Sequence, residues 1–90
     1  MSDVRDNTAQ SRFEMTVEGQ LALADYRRAG GKLMITHVET PPALQGRGVA
    51  AQLMDGVVAA ARAEGAKIVP ICSYAAAYMR RHKEHADLLA

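Results

Sequence analysis

The run His37-Val38-Glu39-Thr40-Pro41-Pro42-Ala43-Leu44-Gln45-Gly46-Arg47-Gly48-Val49-Ala50 constrains this chain more than any other segment. It reads as the end of an apolar strand, a proline-stiffened loop, two glycines and the start of a helix rich in small residues. Helix N-termini leave their first amides unpaired and carry partial positive charge, so such a turn presents N–H groups to an anion. Glycine at 46 and 48 removes the β-carbons that would keep a phosphate off the backbone.

The rest of the pattern builds a sheet around this turn. Arg12 to Glu18 alternates apolar and polar residues, as a half-buried strand does. Gly19-Gln20 is a hairpin signal, and Leu21 to Arg27 is the returning strand. Gly30-Gly31 turns the chain into a third strand, Lys32 to Val38. Val49, Leu53, Val57 and Ala60 then recur at helical spacing to about Glu64, and Gly65 suits the C-terminal cap. Lys67 to Cys72 reads as a fourth strand, parallel to the third because a helix crosses between them. Ser73 fits an N-cap for a second helix from Tyr74 to about Glu84, with Tyr78 and His82 on one face. The predicted order is β-β-β-α-β-α: an α/β (α+β) fold with a mostly antiparallel sheet and one parallel pair. Residues 1–10 are polar and read as a disordered tail, leaving 11–90 as a single domain.

Composition narrows the function classes. Trp is absent and Phe occurs once, so Leu, Val, Ile, Met and Ala must fill the core. The formal net charge is +1, too small a basic excess for nucleic-acid or membrane binding as a main activity. Arg27-Arg28 and Arg80-Arg81-His82-Lys83 read as solvated faces. With one cysteine, Cys72, no internal disulfide is possible, and no signal peptide is recognisable. A cytoplasmic location is therefore expected.

Three phosphate-binding turns have this general form. The P-loop requires G-x-x-x-x-G-K-[ST], which is absent. Gly46-Arg47-Gly48-Val49-Ala50-Ala51 formally satisfies the dinucleotide fingerprint. However, Thr40 to Leu44 separates it from its strand, three antiparallel strands precede it, and the next strand ends at Cys72-Ser73 rather than an acidic residue. Gln45-Gly46-Arg47-Gly48-Val49-Ala50 resembles instead the Q/R-x-x-G-x-G/A pyrophosphate motif of the GNAT superfamily of acetyl-coenzyme A-dependent N-acetyltransferases. His37, Glu39, Pro41-Pro42, Leu44, Gly46-Arg47-Gly48, Ala50 and Leu53 are similar to a subfamily of very short GNAT-like proteins. Pro70, Cys72, Tyr78 and His82, with Leu88 beyond, resemble its second signature. His85 stands where that subfamily has an aromatic residue, a difference that bears on packing of the last helix. The resemblance runs from Phe13 onward.

The resemblance implies a minimal GNAT domain over 11–90, in which the parallel pair is splayed apart. Val38 and the segment Gln45, Gly46, Arg47, Gly48, Val49 and Ala50 would hold acetyl-coenzyme A, with the Arg47 side chain free to assist at a phosphate. The tight turn at Gly19-Gln20 stands where larger relatives carry helices that shape the acceptor site. Two functions follow: transfer of acetyl to an unidentified amine, or an acyl-coenzyme A-binding module with little or no transfer. A strand before residue 10 would speak against the family, as would a helix over 12–28.

Amine acetylation needs a base, a polarised carbonyl and an acid for the departing thiolate. Glu39 is either a base or a solvated carboxylate, and His37 either a base or a strand histidine with a satisfied hydrogen bond. Cys72, at a strand end before a helix, either accepts an acyl group or lines the pocket. Tyr78 is either the acid or a core tyrosine, with His82 beside it. His37, Cys72, His82 and His85 are possible metal ligands, yet their spacing fits no zinc family, and no metal is expected.

Overall fold

The computed structural model describes residues 3–90, so Met1 and Ser2 of the expected tail lie outside it. Five strands form one sheet in chain order: β1 (Arg5–Asn7), β2 (Arg12–Val17), β3 (Gln20–Ala29), β4 (Lys32–Glu39) and β5 (Lys67–Pro70). The first three pairings are antiparallel, and β4 with β5 is parallel. Helix α1 (Val49–Glu64) crosses between the parallel pair, and α2 (Ser73–Arg81) follows β5. Short 3-10 turns cover Pro42–Leu44 and Lys83–Leu88.

One core lies between the sheet and both helices. Phe13, Met15, Ala22, Ala24, Tyr26, Leu33 and Ile35 supply the sheet side, and Leu53, Met54, Val57, Ala61, Ala75, Tyr78 and Met79 the helix side. Alanines at the sheet surface let a helix approach closely. Gly65 terminates α1 in the left-handed region (φ 70°), and Ala66 N–H reaches back to the Ala61 carbonyl. This closes the helix C-terminus, as the glycine foretold.

Five boundaries differ from the sequence reading. Arg5–Asn7, expected in a disordered tail, form β1 on the edge of β2. Their side chains hold them there: Asp6 accepts from the Tyr26 hydroxyl and pairs with Arg28, while Arg5 and Asn7 both reach Glu14. The β2–β3 turn is Glu18-Gly19 rather than Gly19-Gln20, because Val17 pairs with Gln20. Strand β5 stops at Pro70, two residues early. Helix α2 is capped by Cys72, whose Sγ accepts from Ala75 N–H at 3.3 Å, and not by Ser73. The same helix ends at Arg81 because His82 leaves helical geometry (φ −106°, ψ 70°).

A bulge in β4 positions the site. Tyr26 stands opposite Ile35 and Asp25 opposite His37, so Thr36 has no directly opposed residue in β3. Its hydroxyl donates to the Asp25 carbonyl at 3.4 Å. One extra residue inverts the alternation beyond it. Val38, opposite Ala24, thereby shares the core face with Ile35, while His37 and Glu39 fall on the opposite face.

Candidate active site

The parallel pair separates just after the bulge. Ile35 is the last residue of β4 with a partner in β5, and its carbonyl accepts from both Ile71 N–H (3.0 Å) and Cys72 N–H (3.1 Å). Beyond this fork β4 runs on to Glu39 while the other chain turns into α2. Val38, Thr40, Leu44, Gln45, Gly46, Gly48, Val49, Ala50, Ala51 and Tyr74 line the resulting cleft, of about 360 Å³.

The glycine loop forms one wall. Leu44 is buried and anchors the 3-10 turn, while Gln45 Nε2 donates to the Thr40 carbonyl at 3.2 Å and closes the loop on itself. Gly46 (φ 79°) and Gly48 (φ 77°) are left-handed, and a β-carbon at either would project into open space. Gly48 is the N-cap of α1 and supplies no capping side chain. The first intrahelical bond is Gln52 N–H to the Gly48 carbonyl, so the amides of Val49, Ala50 and Ala51 find no acceptor within the helix. A glycine cradle with free helix-terminal donors fits a pyrophosphate.

Of the residues read from sequence as cofactor-binding, Val38, Gln45, Gly46, Gly48, Val49 and Ala50 line the cleft, and Arg47 does not. Its guanidinium is not free as expected. It forms a two-pronged ion pair with Glu18 of the β2–β3 turn, at 3.1 and 2.6 Å.

The four candidate catalytic residues do not converge. His37 and Glu39 lie on the far face of β4, joined by a 3.2 Å contact and both exposed. The bulge at Thr36 puts them there. Cys72 is half-buried at the fork, its sulfur engaged as the α2 cap. Tyr78 is 2% exposed and donates its hydroxyl to Asp55 of α1, away from the cleft lining. Burial first, then the Asp55 bond, pushes its pKa far above the ordinary tyrosine range. His82 stacks on the Tyr78 ring at 4.0 Å, and its Nδ1 contacts the Tyr78 carbonyl. His85 stacks beyond, its centroid 6.5 Å from that of Tyr78, so an imidazole takes the expected aromatic place. Among the described residues no three of His, Cys, Asp or Glu gather as a metal-ligand group.

Ala51, which lines the cleft and offers an amide unpaired within the helix, escaped the sequence reading, as did Tyr74 and Asp55. Tyr74 lines the cleft from the first turn of α2, and burial raises its pKa. Its position one helical turn before Tyr78 was the available signal. Asp55, an exposed carboxylate on α1, gave no sign of its bond to Tyr78.

Comparison with known proteins agrees with this geometry. Residues 12–88 match the family described as GCN5-related N-acetyl-transferase. The fold matches the NMR structure of a GCN5-like protein from Staphylococcus aureus with a TM-score of 0.72. That match covers 100% of this chain and 91% of the other at 24% identity. No curated protein matches the chain. The chain belongs to the GCN5-related N-acetyltransferase family. A strand before residue 10 therefore does not exclude this family, contrary to the sequence-based expectation. Strand β1 adds to the free edge of β2 and leaves the order from β2 to α2 unchanged. No helix among the described residues is long and apolar enough to cross a membrane.

Proposed function

We propose that the protein binds acetyl-coenzyme A in the cleft between β4 and β5 and passes the acetyl group to an amine. The observation that carries this reading is the cradle at Gly46–Ala51, where unpaired helix-terminal amides and two left-handed glycines border an open cleft. Coenzyme A, when bound, supplies the activated thioester. The amides of Val49, Ala50 and Ala51 would hold its pyrophosphate, and Val38 would line the cleft beside the rest of the cofactor. Tyr74, beside the cleft, carries its proton at neutral pH as any ordinary tyrosine does, and burial favours that neutral form further. It suits the role of acid to a departing thiolate better than Tyr78, whose hydroxyl is committed to Asp55. Glu39, paired with His37 on the same face of β4, is the available base for an amine arriving on that outer face. A cytoplasmic site of action accords with the free thiol.

A second reading is an acyl-coenzyme A-binding module without efficient transfer. The engagement of Cys72 as a cap and of Tyr78 with Asp55 favours it. One pair of measurements decides between them. Titration with coenzyme A followed by NMR should shift the amides of Gly46 to Ala51 saturably; absence of saturation removes both readings. Thiol release from acetyl-coenzyme A in the presence of a broad amine panel should then exceed the rate without amine. Equal rates leave binding alone.

A further inference from the structure

The turn between β2 and β3 contains a residue that its backbone does not favour. Glu18 (φ 51°) and Gly19 (φ 76°) are both left-handed, and Val17 pairs with Gln20. A two-residue hairpin of this kind prefers Asn, Asp or Gly at its first central position, since a longer side chain meets steric cost there. Local rules broken without local gain point to a role elsewhere. Here the carboxylate spans to the glycine loop and takes Arg47 by both prongs, Oε1 to Nη1 at 3.1 Å and Oε2 to Nη2 at 2.6 Å.

The same fork is the part of an arginine that recognises phosphate. Arg47 stands between Gly46 and Gly48, the two flexible residues of the cradle, yet its side chain is turned out of the cleft toward Glu18. Both side chains are substantially exposed, 46% for Arg47 and 64% for Glu18. An exposed ion pair of this type is weakly held. A phosphate carrying more charge in the same geometry can displace it, and flanking glycines let the guanidinium swing with little backbone change.

We propose that Glu18 is an internal competitor for Arg47, which a phosphate of coenzyme A must displace to gain that guanidinium. The proposal rests on the cofactor reading above and adds the β2–β3 turn to the cofactor site. It makes Glu18 a positioning residue: cofactor affinity includes the loss of the Glu18–Arg47 pair, and removing the carboxylate relieves that loss.

The experiment is a calorimetric titration of coenzyme A into the full chain, Glu18→Gln, Arg47→Gln and the double variant. Glu18→Gln should tighten binding by about threefold, in keeping with the small worth of an exposed pair. Arg47→Gln should weaken binding, and adding Glu18→Gln to it should change little. Glu18→Asn, too short to reach Arg47 but favoured by the turn, should tighten binding equally and raise Tm, which guards against a folding artefact. Repeating the set with 3′-dephospho-coenzyme A locates the competing group. Loss of the Glu18→Gln gain assigns it to the 3′-phosphate, and persistence assigns it to the pyrophosphate. Weaker binding by Glu18→Gln would make Glu18 a strut for the loop and overturn the proposal. An equal gain in the Arg47→Gln background would reduce it to general charge repulsion and overturn it too. If the wild-type chain binds no coenzyme A, the cofactor reading falls with it. If the wild type binds and Glu18→Gln is unchanged, this proposal alone falls.

Discussion

Val4 occupies the space that a side chain at Gly56 would need: a β-carbon built on that glycine clashes with all three side-chain carbons of Val4. The N-terminal segment thus lies directly on the α1 backbone. Gly56→Ala gains about 1 kcal/mol of helix propensity but forces an overpacking cost of about 1–3 kcal/mol. The expected net result is a loss near 1 kcal/mol by urea denaturation. Amide exchange should quicken at Arg5–Asn7. A more stable variant with unchanged exchange would show that Val4 yields freely.

The bond between Tyr78 and Asp55 ties α2 to α1 and gives a pH dependence of defined sign. Folding raises the Tyr78 pKa, chiefly by burial. The stability that follows is complete below the ordinary tyrosine pKa of about 10 and is lost as pH rises beyond it. Tyr78→Phe should cost about 1 kcal/mol at neutral pH through the lost hydrogen bond. It should also flatten the alkaline decline. Parallel decline of both proteins in denaturation series at rising pH would place the titration elsewhere.

Glu14 sets the acid side. It is 7% exposed and holds Arg12, Asn7 and Arg5 around its carboxylate. The Arg12 hydrogen bond, followed by that from Asn7, lowers its pKa. Its contribution is therefore present above the usual carboxylate pKa of about 4.3 and lost as pH falls through the lower folded value. Glu14→Gln should be less stable than wild type at neutral pH, with the gap narrowing toward acid. A gap independent of pH would mean that packing, not charge, is what Glu14 provides.

Gly48 tests the cradle. A valine there must take φ near 77°, which a β-branched residue resists, at a position that lines the cleft. Gly48→Val should weaken coenzyme A binding by about 2 kcal/mol, roughly thirtyfold. Calorimetry on protein with unaltered circular dichroism measures this. Unchanged affinity would show that the phosphates lie elsewhere.

Cys72 separates chemistry from architecture. Cys72→Ser should retain the cap on Ala75 and fold normally, whereas Cys72→Ala should lose about 1 kcal/mol of stability. If the sulfur attacks the thioester, a sulfur–acyl bond forms as the coenzyme A sulfur–acyl bond breaks, and that thiol takes the proton. Intact-protein mass spectrometry would then show an acetyl adduct on wild type and none on Cys72→Ala. No adduct, with full turnover in Cys72→Ala, leaves the residue a helix cap.

Periodic and glycine-marked features were legible in the sequence. The hairpin, the extent of α1, its stop at Gly65 and the parallel pair follow from alternation, helical spacing and the need for a crossover. Less visible were features made by distant partners. Strand β1 is three polar residues, Arg5, Asp6 and Asn7, whose order depends on Glu14, Tyr26 and Arg28. The bulge did leave a trace, since Leu33, Ile35 and Val38 step by two and then by three. Missing it hid the fact that His37 and Glu39 face away from the cleft that Val38 lines. Tyr74 and Tyr78 share a helical repeat, and only the tertiary bond to Asp55 shows which hydroxyl is already spoken for.

The Ile35 carbonyl, doubly occupied by Ile71 and Cys72, acts as the bottom stop of a zip. Beyond it the chain after Cys72 turns into α2 and Thr36 is bulged against β3, so no ladder continues between the two strands. The aperture consequently begins where backbone pairing ends. Side-chain changes along its walls can alter what passes through, while its base is held by backbone hydrogen bonds to a single oxygen.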